Sequence, residues 1–298
     1  MPFRGLRVRC RQIRDDVRRA IVNLLLKSFR GDPGFWHAAL DRLAEHATPP
    51  GFPKYGYLLE VNDVPVGMLL LISSSLREGG ETKLRCHVSS WTVWPAFRTY
   101  ATFLATQALK HKEATYVNIS AIPETVDILG AQGFTRYCTG RFTAVPALKL
   151  RSPRVRVAAV TADMRPGDDL PPDELVLLVN HASYGCISLV ATEGDRRIPF
   201  VFEPMTRFRV VRTAYLVYCR SIDDFVRLAG PLGRFLAKRG YPFVALDAIG
   251  PVPGLIGRYA DATPRYFKGP DRPRLGDLAY SERGVLGLTF PPSVGLEE

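Results

Sequence analysis

Residues 84–134, LRCHVSSWTVWPAFRTYATFLATQALKHKEATYVNISAIPETVDILGAQGF, decide how the rest of the chain is read. Leu84 to Trp94 is rich in β-branched and aromatic residues, which predicts a buried strand. Pro95 offers no backbone donor and turns Trp94 away from helical geometry, so the strand stops there. Phe97, Tyr100, Ala101, Leu104, Ala105 and Ala108 then recur at helical spacing, predicting an amphipathic helix from Phe97 to His111. Tyr116 to Ile119 predicts a second short strand. Pro123 suits the first turn of a second helix, and Gly133 its C-cap. The stretch reads strand, helix, strand, helix, Gly-Phe.

Outward from it, the flanking sequence supplies partners. Leu6 to Gln12 alternates apolar and basic residues, as a strand with one wet face does. Asp15 or Asp16 can cap a helix running to about Phe29, and Phe35 to His46 reads as the next helix. Tyr55 to Val61 and Val64 to Ser73, joined at Asn62-Asp63, predict a hairpin. Tyr137 to Leu150 is expected to close this half with a strand pair. Pro153 within Arg151–Arg156 marks the expected seam, giving domains at 1–150 and 151–298.

The second half repeats the order. Strands are expected at Val155–Val160, Ile187–Thr192, Ile198–Phe202, Thr213–Cys219 and Pro242–Leu246. Helices are expected from Pro171 to about His181 and from Ile222 to Arg239. Hairpin, strand, helix and strand recur at an offset of roughly 125–130 residues, the scale of a domain rather than of a solenoid repeat. Leu275 to Leu288 would supply closing strands, and the tail from Pro291 is expected to fray.

The stretch resembles the core of the GNAT superfamily of acyl-coenzyme A N-acyltransferases. There a strand ends in V-x-P-x-[YF]-R, matched by Val93, Trp94, Pro95, Ala96, Phe97 and Arg98. A helix, strand and helix follow to L-G-F, matched by Gln132, Gly133 and Phe134. The resemblance implies an α/β fold: two tandem GNAT-like domains, each a mostly antiparallel mixed sheet flanked by helices. It implies acetyl-coenzyme A or another acyl-coenzyme A as co-substrate, an amine acceptor, and cofactor contacts at Val93, Arg98, Thr99, Tyr100, Ala101, Thr102 and Asn118. Two departures accompany it. The family's phosphate-binding turn, [QR]-x-x-G-x-[GA], is here Arg98-Thr99-Tyr100-Ala101-Thr102-Phe103, without the glycines that let backbone N–H groups approach a pyrophosphate. The tyrosine that commonly protonates the leaving thiolate is matched by Leu129.

In the second half, Asp247 at a strand's C-terminal end is a candidate base. Tyr259 is a candidate acid if Pro253 to Tyr259 is helical. Against these stand plainer accounts: Asp247 capping a turn, and Gly250, Pro251, Pro253, Gly254 and Gly257 marking an irregular loop. Ser221 reads as an N-cap, and the His181–Gly185 segment as a helix C-terminus. Arg220 is the residue there suited to an anion.

Composition bounds the function. The chain has 298 residues, 46% of them hydrophobic, and a formal net charge of +11. An arginine-rich surface favours anionic partners such as coenzyme A, RNA or an acidic substrate. The five cysteines form no C-x-x-C pair, which argues for a reducing compartment, no disulfide framework and no metal site. No apolar run approaches the roughly 20 residues of a membrane span. A cytoplasmic protein is expected. Three functions compete: an acyl-coenzyme A-dependent transferase, a degenerate GNAT-like scaffold with its groove filled by side chains such as Phe103, and a transferase using aminoacyl-tRNA.

Overall fold

A computed structural model describes residues 6–288 except 30, 79, 152, 162 and 208–210. In chain order the elements are β1 (Val8–Gln12), α1 (Arg18–Ser28), α2 (Pro33–Glu45), β2 (Gly56–Val61), β3 (Val64–Glu78), β4 (Glu81–Val93), α3 (Ala101–Ala108), β5 (Thr115–Asn118), α4 (Pro123–Ala131), β6 (Thr135–Ala144), β7 (Arg156–Ala159), α5 (Pro172–Ser183), β8 (Ile187–Glu193), β9 (Arg196–Arg207), β10 (Val211–Cys219), α6 (Ile222–Ala237), β11 (Phe243–Ala248), β12 (Gly257–Lys268) and α7 (Glu282–Val285). They form two compact units. Unit 1 holds the described residues up to Ile119 together with Phe267–Arg272 and Tyr280–Leu286; unit 2 holds Ser120–Tyr266 and Pro273–Ala279.

In unit 1 the strands lie in the order β1-β2-β3-β4-β5. All neighbours are antiparallel except β4 and β5, which run parallel. Local chemistry places the helices. Asp32 caps α2 by accepting the Phe35 N–H at 2.8 Å, with Pro33 in the first turn. Ile21, Leu24 and Leu25 of α1 and Trp36, Leu40 and Leu43 of α2 are buried, as the helical spacing of those apolar residues requires. A 3-10 turn over Pro95–Tyr100 precedes α3, so the regular helix starts and ends inside the expected Phe97–His111.

In unit 2 the order is β12-β6-β11-β10-β9-β8-β7, with β10 and β11 parallel. Its core gathers Phe200 and Phe202 of β9, Leu216 of β10, Leu246 of β11, and Phe225, Leu228, Leu232 and Leu236 of α6. Ser221 caps α6 as expected, its Oγ accepting the Asp224 N–H at 3.0 Å. α5 ends near Gly185, which takes a left-handed φ of 89°.

Three expectations are corrected. The Arg151–Arg156 seam lies within unit 2, and the units part after Ile119. The reason is the pairing of β6: Gly140–Ala144 runs antiparallel to Val244–Ala248 of β11, so the strand expected to complete the first half serves the second. Pro253–Tyr259 is not helical; Gly257 opens β12, a strand that tolerates Pro264. The closing strands expected at Leu275–Leu288 are replaced by an irregular segment, one bridge between Asp277 and Tyr218, and the short α7. The tail from Pro291 lies outside the described residues.

Candidate functional site

In unit 1 the parallel strands β4 and β5 pair over only three positions, Arg85–His87 with Thr115–Val117. β4 then bulges. Its register on β3 slips between Ser89↔Leu70 and Thr92↔Met68, and Ser90 adopts a φ of 47° that side chains seldom take. Past the bulge, β4 follows β3 and leaves β5, so an opening forms between the two strands. Trp94 N–H donates to Val66 O at 2.8 Å. Antiparallel alternation therefore turns the N–H and C=O of Val93 away from β3 and into the opening. Among the described residues, no other backbone segment bonds to that edge of Val93.

The cofactor residues expected from the sequence gather around this opening. Val93 ends β4, Arg98 and Thr99 are exposed on the 3-10 turn that Tyr100 ends, and Ala101 and Thr102 begin α3. No side chain caps α3; the 3-10 turn runs straight into it, and the Ala101 N–H donates to the Arg98 carbonyl. Asn118 is buried at the end of β5. Phe103 is 41% exposed on α3. Lys27, near the end of α1, lies 4.7 Å from the centre of the Trp94 ring, and Ser28 hydrogen-bonds Thr92 at 2.7 Å. The sequence reading missed the bulge and these α1 contacts. The adjacent serines Ser89-Ser90 within the strand were the available signal.

Unit 2 repeats the architecture with a different outcome. β10 and β11 also pair over three positions, Thr213–Tyr215 with Phe243–Ala245, and β10 also bulges, at Val217. Cys219 stands two residues beyond the bulge, as Val93 does in unit 1. β9 occupies one edge of β10 as far as Cys219. The other edge is taken by the chain itself. Cys219 N–H donates to Gly276 O at 2.9 Å, Leu278 N–H donates to Val217 O at 2.8 Å, and Arg274 Nη1 donates to Cys219 O. Residues 274–278 thus lie as a strap along the edge that unit 1 leaves open. Arg220 is committed too: its Nε donates to Glu174 Oε1 at 3.0 Å, and its guanidinium also reaches the Asp169 carbonyl.

Asp247 and Tyr259 both lie in unit 2 but do not meet through a direct hydrogen bond. Asp247 is 4% exposed. Arg265 Nε donates to its two oxygens at 3.3 and 3.2 Å, Arg265 Nη2 donates at 3.2 Å, and the Tyr215 hydroxyl donates to Oδ1. Burial alone would pull the Arg265 guanidinium down. The Asp247 charge, followed by Tyr215 and the hydrogen bonds to both, holds it well above its ordinary value. Asp247 is the anionic half of a buried ion pair. Tyr259 hydrogen-bonds Thr139 at 3.1 Å and Asp261 at 3.2 Å. Its ring packs where a side chain at Gly140 would stand. Leu129, at the position of the family's tyrosine, is buried in α4. Among the described residues no group of three or more His, Cys, Asp or Glu side chains could hold a metal ion, and no helix is long and apolar enough to cross a membrane.

A parallel strand pair that opens past a bulge, with a helix starting at the mouth, is found in both units and defines a GCN5-related N-acetyltransferase (GNAT) fold. Solved structures agree over nearly the whole chain. A GCN5-related N-acetyltransferase from Anabaena variabilis is similar at 10% identity and a TM-score of 0.59, covering 88% of this chain and 72% of its own. One from Kribbella flavida is similar at 12% identity and a TM-score of 0.55, covering 88% and 71%. Eis1 from Mycobacterium abscessus matches at 15% identity and a TM-score of 0.50, covering 91% and 74%. No family model matches the sequence, and no curated protein does.

Proposed function

We propose that the protein transfers an acyl group from acyl-coenzyme A to an amine, and that unit 1 holds the thioester. The observation carrying this reading is the contrast between equivalent edges: that of Val93 is open, and that of Cys219 is covered by residues 274–278. An extended ligand rich in amides can add to an open strand edge by main-chain hydrogen bonds. Arg98, exposed on the 3-10 turn, supplies positive charge for the phosphates, in place of the family's glycine turn.

The Val93 N–H is the donor suited to the thioester oxygen as it gains charge. A neutral amine attacks the carbonyl carbon, the C–N bond forms, the C–S bond breaks, and the amine proton passes to water. The departing thiol needs little help, because thiols ionise with pKa near 8.5. That makes the loss of a tyrosine at Leu129 tolerable. In this reading Asp247 and Tyr259 are structural residues of unit 2 rather than the base and acid.

Calorimetric titration of acetyl-coenzyme A and of a longer acyl-coenzyme A tests the proposal. Binding of either thioester, weakened at least ~10-fold by Arg98→Ala and unchanged by Tyr259→Phe, is expected. Absence of binding by both thioesters would leave the scaffold reading. Binding that survives Arg98→Ala but is lost on substitution in the 274–278 strap would move the site to unit 2.

A further inference from the structure

Unit 2 carries a second feature independent of its covered β10 edge. Arg154, Arg156, Arg234 and Lys238 surround a groove of about 670 Å³ whose lining includes Val155, Val157, Pro231 and Phe235. Among the described residues no carboxylate lines it. Val155, Val157 and Phe235 are half-buried against the unit 2 core, which fixes the apolar floor. The Arg239 guanidinium lies 3.6 Å from the centre of the Phe235 ring and adds a fifth cation at the margin.

One wall of the groove is β7, whose single neighbour in the strand order of unit 2 is β8. Val160 N–H donates to Ser188 O at 2.9 Å, which sets the alternation along the pair. Arg156 and Ala158 spend their main-chain groups on β8, and those of Val157 and Ala159 point to the outer edge. The floor is apolar, the rim is cationic, and the edge offers main-chain donors and acceptors at every second residue.

We propose that this groove docks an extended acidic peptide segment, which adds to the outer edge of β7 as a further strand. Its acidic side chains face Arg154 and Arg156 on one side of the sheet, and its alternate apolar side chains rest on Val155, Val157 and Phe235 on the other, where Arg234 and Lys238 form the rim. Charge complementarity selects the occupant: five cations without a carboxylate repel a basic segment and hold an acidic one. A short, charged edge strand could serve only to prevent sheet-to-sheet aggregation, and the test separates the two roles.

Fluorescence anisotropy with a labelled peptide of alternating Glu and Val, against its Lys-Val counterpart, measures the binding. Expected are saturable binding of the acidic peptide only, weakening as salt rises, and a loss of at least ~10-fold in the Arg156→Glu/Arg234→Glu double variant. A melting temperature equal to that of the parent protein shows that this variant is folded. Methylating alternate peptide nitrogens should abolish binding, because strand addition needs them as donors. Equal binding of both peptides, no effect of charge reversal, or indifference to N-methylation would overturn the proposal. So would flotation with phosphatidylserine vesicles by a protein that ignores the peptide, a result assigning the groove to a membrane surface.

Discussion

Replacing Asp247 by Asn should destabilise unit 2 without acting on chemistry. The substitution keeps size, deletes one charge and turns one accepting oxygen into a donor, so a guanidinium that is 4% exposed loses the counter-charge of Asp247. Breaking a buried pair from one side costs about 3–5 kcal/mol. At ~2–4 °C per kcal/mol for a domain of this size, the melting temperature should fall by ~6–20 °C. A double variant, Asp247→Leu with Arg265→Met, removes both charges and should recover much of that loss, because apolar residues of similar volume often replace such pairs at little cost. Urea unfolding of the parent, the Asp247→Leu and Arg265→Met single variants and their double variant closes the cycle, with a coupling of at least ~2 kcal/mol expected. Thioester turnover is measured below the melting transition of each variant. An Asp247→Asn protein that melts within about a degree of the parent and has lost turnover would refute this reasoning and restore Asp247 as the base.

Other expectations follow from the same structure. Gly276 sits at φ 77°, and a Cβ there would come 2.7 Å from Cys219 Sγ, so Gly276→Ala should cost about 1–3 kcal/mol in urea unfolding; a neutral result would mean the strap is not held at that point. Burial pushes the Cys10 and Cys138 thiols up to about 11 and those of Cys86, Cys186 and Cys219 up to about 12. Native protein should therefore react with a disulfide reagent at pH 8 at least ~100-fold more slowly than unfolded protein, and a fast-reacting thiol would contradict this. The same thiols favour the native state below their unfolded pKa near 8.5, and that contribution should fade as pH rises toward 11. Burial lowers the pKa of His46, whose Nε2 lies 2.9 Å from the Ser73 carbonyl. Its stabilising effect is present above about 6.5 and lost as pH falls toward its lower folded value. The drop in melting temperature between pH 7 and 5 should be shallower in His46→Gln.

What could be read from the sequence was what neighbours in sequence decide. Pro95, Pro123 and Gly133 end or open their elements where local backbone rules put them, and Ser221 caps the helix that follows it. The repeated order of strands and helices came from periodicity together with these local start and stop signals. What escaped depends on partners far along the chain. β12 was hidden because a Gly-Pro run precedes it and Pro264 interrupts it, and both read as loop. The allegiance of β6 is set by its register with β11, about a hundred residues away, which no local pattern encodes. Asp247 stood out as a carboxylate at a strand end, but the Arg265 that neutralises it is invisible until both strands are placed. The residues from Val93 to Thr102 lie together at one strand end because one short motif carries them all.

The interleaving of the two units has a consequence for how the protein is made. Unit 1 includes Phe267–Arg272 and Tyr280–Leu286, and the backbone carbonyls of Val285 and Leu286 accept from Arg42 at 2.8 Å. A ribosome that has synthesised β1 to β5 has therefore not yet supplied the residues that complete unit 1. The amino-terminal portion must wait, with apolar surface uncovered, until nearly the whole polypeptide has emerged. Splitting the gene at the repeat boundary should accordingly yield two insoluble fragments. Partners that cannot be inherited separately are also slow to recombine, which would keep this pairing of an open and a strapped unit together over evolutionary time.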